Sequence, residues 1–192
     1  MTGSVKAQSG LDGITPYVPG RPVEEVQREY GVSDVVKLAS NENPLPPSPK
    51  AVAAMQAALQ DVHFYPDGDW HRLRHALAAH LEVDPAEIVV GNGADGLILE
   101  ICMAYVDQGD EVIVSESSFP MYDVYARAMR GRLVRTPLRD YGLDLEAMAG
   151  AVTSHTKLVF VCNPNNPTGT IVTAAEVEAF MEIDYVPLGR QP

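Results

Sequence analysis

Basic side chains are the first thing this sequence has little of. Its 192 residues include 14 lysines and arginines against 26 aspartates and glutamates, which gives a formal net charge of -12 at pH 7. Such a charge repels the phosphates of nucleic acids and of anionic lipids, and no basic patch interrupts it. We therefore expect no nucleic-acid partner and no membrane partner, and a small-molecule ligand is favoured.

Long apolar runs and cysteines are also scarce. No run approaches the length needed to span a membrane, and the first ten residues lack both the apolar core of a signal peptide and the arginines of a transit peptide. The two cysteines, Cys102 and Cys162, each lie in an apolar segment, so we expect buried thiols and no disulfide. Free thiols fit a reducing cytoplasm, and the content of 46% apolar residues predicts a globular protein.

What the sequence does have is a regular alternation of short apolar runs and helical patterns. Because strands covered on both faces read as unbroken apolar runs, this alternation predicts an α/β fold with a mainly parallel sheet. The predicted strands are 88–90, 112–114, 133–134 and 158–161, and the predicted helices are 23–30, 70–82, 93–105, 121–130, 143–152 and 174–181, with a further helix starting at Pro49. Ligands of such sheets bind beyond the carboxyl ends of the strands.

A glycine-rich loop, Gly91 to Gly96, follows the first predicted strand and opens a helix. Its G-x-G-x-x-G spacing is compatible with a dinucleotide site, in which Glu116 would hold the ribose. It is equally compatible with a site for pyridoxal 5'-phosphate (PLP), in which the backbone N–H groups of Gly93, Ala94 and Asp95 hold one phosphate. A glycine turn without a ligand is the third possibility, and the loop alone does not decide among them.

A second loop, Asn163 to Gly169, follows the last predicted strand and reads Asn-Pro-Asn-Asn-Pro-Thr-Gly. Turns favour these residues, but seven in succession at a strand's carboxyl end are more specific than turn chemistry. The run resembles the signature of fold-type I PLP-dependent aminotransferases. Residues 37–44, 65–67 and 118–122 resemble, in order and spacing, the histidinol-phosphate aminotransferase family.

This resemblance implies roles for individual residues. PLP would contact the backbone of Gly93, Ala94 and Asp95. Asn166 would donate to the phenolic oxygen of PLP, and Phe119 would stack on its ring. Tyr65 would reach the cofactor of the other subunit of a homodimer. Asn41 and Asn43 would close over the substrate. Gly96 stands where the family usually has glutamate, a change that a backbone site should tolerate.

The resemblance also implies a fold: the three-layer αβα architecture of fold-type I PLP-dependent transferases, here incomplete, without the C-terminal strands of the large domain and without the small domain. Residues 1–40 would form an N-terminal arm and linker on the small-domain side, 41–180 a partial PLP-binding large domain, and 181–192 an aberrant tail of a truncated chain. In the family's sheet order, the strand at 88–90 would lie apart from the others, with missing strands in between.

The implied activity is the transfer of an amino group between histidinol phosphate and 2-oxoglutarate, giving imidazole acetol phosphate and glutamate in histidine biosynthesis. No lysine occupies the family's Schiff-base position, so we expect no catalytic residue in this chain, weak and non-covalent PLP binding at best, and no transamination. Alternatives are another fold-type I enzyme, such as an aromatic aminotransferase or threonine-phosphate decarboxylase, and a non-catalytic fragment.

His71 and His75 have the spacing of a metal pair without a third ligand, so no metal site is predicted.

Overall fold

The computed structural model describes residues 6–183 and divides the chain into two compact units. Of the described residues, the first unit comprises 6–17 and 91–183, and the second comprises 18–90. Residues 184–192 of the predicted tail lie outside the described residues. The domain boundaries inferred from the resemblance, at residues 40 and 180, stay predictions.

The second unit is helical and has little core. Its helices are α1 (Val23–Tyr30), α2 (Pro49–Ala58) and α3 (His71–Leu81). Each begins close to its predicted position, and α1 and α3 also end close to theirs. Gly31 ends α1 in the left-handed conformation that glycine adopts readily. Among residues 18–90, all of which the structure describes, Ala78 is the only buried hydrophobic residue.

The first unit alternates strands and helices around a small sheet. In chain order its elements are α4 (Gly93–Tyr105), β1 (Glu111–Ser115), α5 (Pro120–Ala128), β2 (Arg132–Thr136), β3 (Leu138–Arg139), β4 (Gly142–Leu143), α6 (Leu145–Gly150), β5 (Thr156–Val159) and α7 (Ala174–Met181). Strands β2, β1 and β5 form a three-stranded parallel sheet in that order, and β3 pairs antiparallel with β4. The predicted parallel α/β fold is thereby confirmed for this part of the chain.

Strand β1 is the centre of this sheet, and all five of its residues are buried. Successive side chains of a strand point to opposite faces. Val112 and Val114 pack with residues of α4 and α5, whereas Ile113 packs with Met148 of α6 and Phe180 of α7. Helices therefore cover both faces of the sheet, which is the expected three-layer αβα arrangement.

The N-terminal segment of the first unit packs against the end of α5. The side-chain Nε2 of Gln8 donates to the carbonyl oxygen of Ala128 at 3.0 Å, although the two residues are 120 positions apart. A Cβ atom on Gly10 would lie 2.5 Å from the carbonyl oxygen of Arg127. Only glycine allows this close approach between the segment and the helix.

The strand predicted at residues 88–90 is wrong within the described chain. These residues are extended at Ile88 but belong to no sheet, and Val89 is 73% exposed. An isolated extended segment gains no ladder hydrogen bonds, so apolar composition alone does not make it a strand.

The start of α6 also differs from prediction in the first unit. Helix α6 begins at Leu145, not at 143, because Leu143 pairs with Leu138 in the β3–β4 hairpin. The Asp144 side chain then accepts from the backbone N–H of Ala147 at 3.0 Å and caps the helix.

Within residues 6–183, no helix is long and apolar enough to cross a membrane.

The burial of β1 leads to a stability prediction. Replacing Ile113 with alanine should lower the free energy of unfolding of the first unit by about 2–5 kcal/mol, because the fully buried side chain would leave a cavity between the sheet and α6 and α7. The control Val89→Ala should change it by less than about 0.5 kcal/mol. Urea denaturation followed by circular dichroism measures both, and equal midpoints for the two variants would contradict the β1-centred core.

Candidate functional site

The candidate site of the first unit is built from three backbone segments. They are the start of α4, the loop from β1 to α5, and the loop from β5 to α7. The last two leave the carboxyl ends of neighbouring strands, where parallel sheets bind their ligands. One side-chain contact joins the two loops, and another joins the start of α4 to α5, the helix that follows the first of these loops.

The start of α4 presents free backbone donors. Asn92 precedes the helix and makes no capping hydrogen bond with its side chain. Within the described chain, the backbone N–H groups of Ala94 and Asp95 have no hydrogen-bond acceptor, whereas that of Gly93 donates to Gly91 O at 2.9 Å. The structure thus leaves two of the three expected phosphate donors available, and the third serves the turn.

Glycines shape this turn for two different reasons. Gly93 has φ +69°, and a Cβ on it would have open space, so its backbone conformation is what favours glycine there. Gly91 is packed closely, since a Cβ on it would lie 2.7 Å from the Leu97 side chain. At Gly96 a Cβ would lie 3.3 Å from that of Asn92, a tight contact that its lack of a side chain avoids.

A tyrosine connects the first turn of α4 to α5. The hydroxyl of Tyr125 donates to Asp95 Oδ2 at 2.8 Å. This hydrogen bond to a carboxylate, with lesser contributions from burial and from the carboxylate charge, raises the pKa of Tyr125. The contact fixes the Asp95 side chain against α5.

An aromatic row begins at Phe119, which directly precedes α5. Its ring meets Tyr122 edge to face at 5.7 Å between centroids, and Tyr122 stacks on Phe160 at 4.3 Å. Burial raises the pKa of Tyr122, and a hydrogen bond with Cys162 adds to the effect. Phe119 is half-buried, so part of its ring surface is accessible.

The three asparagines of the loop 163–169 serve different purposes. Asn163 exchanges two hydrogen bonds with the backbone of Val172, at 3.0 and 3.1 Å. Asn165 is 2% exposed and donates to Ser117 O and to Thr168 Oγ1, each at 2.9 Å. Asn166 is half-buried, and its side chain makes no hydrogen bond within residues 6–183. The residue expected to meet the cofactor is therefore the one whose amide the fold leaves available.

The sequence interpretation missed Asn165 and the threonines that it contacts. Their signal was present, because Asn165, Thr168 and Thr170 lie close together in one loop and offer an amide and two hydroxyls for internal bonding. Two further polar atoms near these loops, Ser115 Oγ and Ser118 Oγ, are buried without a hydrogen-bond partner in the described chain.

The other expected contacts lie in the second unit. Tyr65 is fully exposed there. Asn43 accepts from the backbone N–H of Leu45 at 3.0 Å through its own side chain, which is typical of a turn, and Asn41 is exposed with φ 48°. Their roles towards substrate and cofactor stay predictions.

None of the four lysines, all of which the structure describes, belongs to the three segments of the candidate site. Lys157 is exposed in β5, and Lys50 is exposed in the first turn of α2. Lys37 forms an ion pair with Glu42, and Lys6 is exposed near the start of the described chain. Within residues 6–183, no group of three His, Cys, Asp or Glu side chains is arranged to hold a metal ion.

The structure lacks the strand that a dinucleotide site of this kind requires, within the residues that it describes. Such a site requires a strand directly before the glycine-rich loop, and residues 88–90 form none. Glu116, its candidate ribose ligand, is exposed, and its backbone N–H donates to Thr136 O at 2.9 Å. The glycine loop therefore fits a single phosphate better than a dinucleotide.

Together, the parallel αβα unit and its loops define a protein of the fold-type I PLP-dependent class. The sequence profile described as aminotransferase class I and II matches residues 33–184, and the chain belongs to this family. Its members are PLP-dependent aminotransferases.

The similarity extends to particular relatives. The chain is 50% identical over 177 residues to the histidinol-phosphate aminotransferase of Moorella thermoacetica, covering 92% of this chain and 46% of that protein. It is 47% identical over 175 residues to histidinol-phosphate aminotransferase 2 of Carboxydothermus hydrogenoformans, covering 91% of this chain and 48% of that protein. The resemblance to the histidinol-phosphate aminotransferases is thereby confirmed.

A solved structure agrees with the sequence relatives. The histidinol-phosphate aminotransferase of Sinorhizobium meliloti, determined in complex with pyridoxal-5'-phosphate, matches with a TM-score of 0.81 at 31% identity. The match covers 94% of this chain and 48% of that one. The chain thus spans about half the length of the relatives that it matches.

The contact between Tyr125 and Asp95 predicts a shifted titration. Asp95→Asn should lower the pKa of Tyr125 towards the ordinary tyrosine value of about 10, because the acceptor charge is lost. Because folding raises the pKa of Tyr125, its hydrogen bond stabilises the folded protein fully at pH values below the unfolded pKa. This stabilisation is lost as pH rises through the folded pKa. Tyrosinate absorbance of each form, with the matching Tyr125→Phe variant subtracted, measures the shift. An unchanged Tyr125 titration in Asp95→Asn would contradict the contact.

Proposed function

We propose that this chain supplies the phosphate-binding and ring-binding residues of a PLP-dependent aminotransferase acting on histidinol phosphate and 2-oxoglutarate. The observation that carries the proposal is the pair of unsatisfied N–H groups, on Ala94 and Asp95, at the start of α4. A helix N-terminus with free donors favours an anion such as a phosphate. The available amide of Asn166 and the accessible ring of Phe119 fit the remaining parts of the cofactor.

Each residue has a distinct task in this proposal. The N–H groups of Ala94 and Asp95 bind the phosphate, the ring of Phe119 stacks on the pyridine ring, and the amide of Asn166 donates to the phenolic oxygen. When bound, PLP supplies an electron sink for the bonds to the α-carbon of the amino acid. The residues described here orient the cofactor and exclude water from one side of it.

Further features are proposed from the relatives and the composition. The protein acts as a homodimer in which Tyr65 contacts the cofactor of the partner subunit, and Asn41 and Asn43 lie over the substrate. Its partners are the amino donor and a 2-oxo acid, with no nucleic acid and no membrane, which agrees with the net charge of -12. We place its work in histidine biosynthesis in the cytoplasm.

A substitution that removes one backbone donor tests the phosphate site. Proline is tolerated in the first turn of a helix and has no N–H, so Ala94→Pro should keep α4 and remove one of the two free donors. We expect PLP and inorganic phosphate to bind about 10-fold more weakly or worse, because a hydrogen bond to a charged group is lost. Calorimetry on the 192-residue chain measures both affinities.

The matched control is Ala175→Pro, at the corresponding first-turn position of α7, where the N–H also has no acceptor in the described chain. It should leave both affinities unchanged. NAD should not bind, and Glu116→Ala should have no effect on PLP. Equal loss in the two proline variants, or micromolar NAD binding that Glu116→Ala weakens, would contradict the proposed site.

The lysine positions predict that the 192-residue chain does not transaminate. Lys157 lies in the sheet away from the carboxyl ends that carry the site, and the other three lysines lie outside the elements of the first unit. Without a placed lysine, proton transfer at the α-carbon lacks a general base, a contribution of about 10²- to 10⁴-fold. Incubation with PLP, borohydride reduction and mass spectrometry should find no single lysine fully labelled.

A hybrid chain provides the positive arm of this experiment. Residues 1–183 joined to the second half of the Moorella thermoacetica relative should label one lysine, in the added half, and transaminate histidinol phosphate in preference to aromatic amino acids. Preference for an aromatic amino acid would show that the proposed substrate is wrong. Decarboxylation of threonine phosphate would show that the proposed reaction is wrong. A fully labelled lysine with turnover in the 192-residue chain itself would overturn the account of its lysines.

A further inference from the structure

The side chain of Asn165 joins the two loops that carry the proposed ring contacts. Its Nδ2 donates to Ser117 O at 2.9 Å, two residues before Phe119, and Asn165 itself directly precedes Asn166. The stacking ring and the amide donor therefore lie on segments that one hydrogen bond holds together. At 2% exposure, Asn165 is shielded from water, which would otherwise compete for this bond.

Asn165 also begins a chain of hydrogen bonds with a fixed direction. Thr170 Oγ1 donates its one hydrogen to Tyr141 O at 3.0 Å, so in the 2.9 Å contact between the two threonine hydroxyls Thr168 must be the donor. Thr168 Oγ1 in turn accepts from Asn165 Nδ2 at 2.9 Å. The order of donors thus runs from Asn165 through both threonines to the β3–β4 turn.

The backbone of Asn165 closes the same loop. Its N–H donates to Thr170 O at 2.8 Å, and its carbonyl oxygen accepts from the N–H of Gly169 at 2.7 Å. The residue thus fixes both ends of the turn on which Asn166 lies. This arrangement limits the positions that the Asn166 amide can adopt relative to Ser117.

The residue type follows from the number of donors required. Both hydrogens of one nitrogen are used, for Ser117 O and for Thr168 Oγ1. Serine and threonine provide one hydrogen and aspartate provides none, so an amide is needed. Its Oδ1 is buried without a partner in the described chain. The free-energy cost of this unpaired oxygen accompanies the two bonds that the nitrogen donates.

We infer that Asn165 is a positioning residue, which sets the Asn166 amide and the Phe119 ring at the separation that the pyridine ring of PLP requires. It acts through the two loops and does not itself contact the cofactor. The part of this inference that concerns PLP rests on the proposed function, whereas the coupling between the loops does not.

Asn165→Asp tests the coupling, because it keeps the shape of the side chain and removes both donor bonds. Two backbone N–H groups report on the loop of Ser117: that of Glu116, which donates to Thr136 O, and that of Tyr122, which donates to Phe119 O. In hydrogen exchange of the 192-residue chain, both should exchange about 10-fold faster or more. Asn163→Asp is the matched control. It removes one amide bond to Val172 O in the same loop, and its effect should stay within residues 163–172.

Ligand binding separates positioning from general loss of structure. Asn165→Asp should weaken PLP binding about 10-fold while leaving the affinity for inorganic phosphate unchanged, since phosphate alone meets only the start of α4. Asn163→Asp should change neither. Weakening of both ligands together, or unchanged exchange at Glu116 and Tyr122, would overturn the inference.

A second pair of variants applies if Asn165→Asp does not fold, which loss of protection in β1 would reveal. Thr168→Val removes one acceptor of Asn165 and should accelerate exchange at Glu116 and weaken PLP binding, whereas Thr168→Ser keeps the hydroxyl and should restore both. Identical behaviour of these two variants would also overturn the inference. Wild-type chain that binds neither PLP nor phosphate would refute the proposed function, and the exchange results would still decide the coupling.

Discussion

The parallel pairing of β1 with strands on both of its sides is the constraint on which the described structure depends. Because β2 and β5 use its backbone groups and helices cover both faces, β1 has no exposed residue. Its one charged residue, Glu111, is also buried, and it accepts from the hydroxyls of Thr153 and Thr156 and pairs with Arg132. These partners offset the cost of burying a carboxylate at the amino end, and the opposite end is left for the loops of the candidate site.

Much of the first unit could be predicted from the sequence, because its elements have local signals. The apolar run around Ile113 and the helix that starts at Gly93 are examples, and both lie where the pattern indicated. The strand at Ile88 failed because a strand needs partners, which no local pattern reports. The β3–β4 hairpin was missed because its turn places Asp140 and Tyr141 at positive φ, whereas turns of this kind usually carry asparagine and glycine.

The candidate site was predictable to the extent that it is made of backbone and motif. The glycine turn and the asparagine-rich loop could be read from residue order, and the structure leaves Ala94 N–H, Asp95 N–H and the Asn166 amide available. Sequence order could not reveal that Gly93 N–H is used within its own turn, or that Tyr125 binds Asp95 from thirty positions away. Such contacts depend on how the helices pack on the sheet, which is a property of the folded chain.

The hydrogen bond from Gln8 to the end of α5 has a consequence for the order in which the chain is made. The acceptor, Ala128, is synthesised 120 residues after Gln8. At about 5–20 residues per second, the N-terminal segment waits roughly 6–24 s for its binding surface. Throughout that interval the segment cannot make this contact. This contact can consequently form only after α5 has been synthesised.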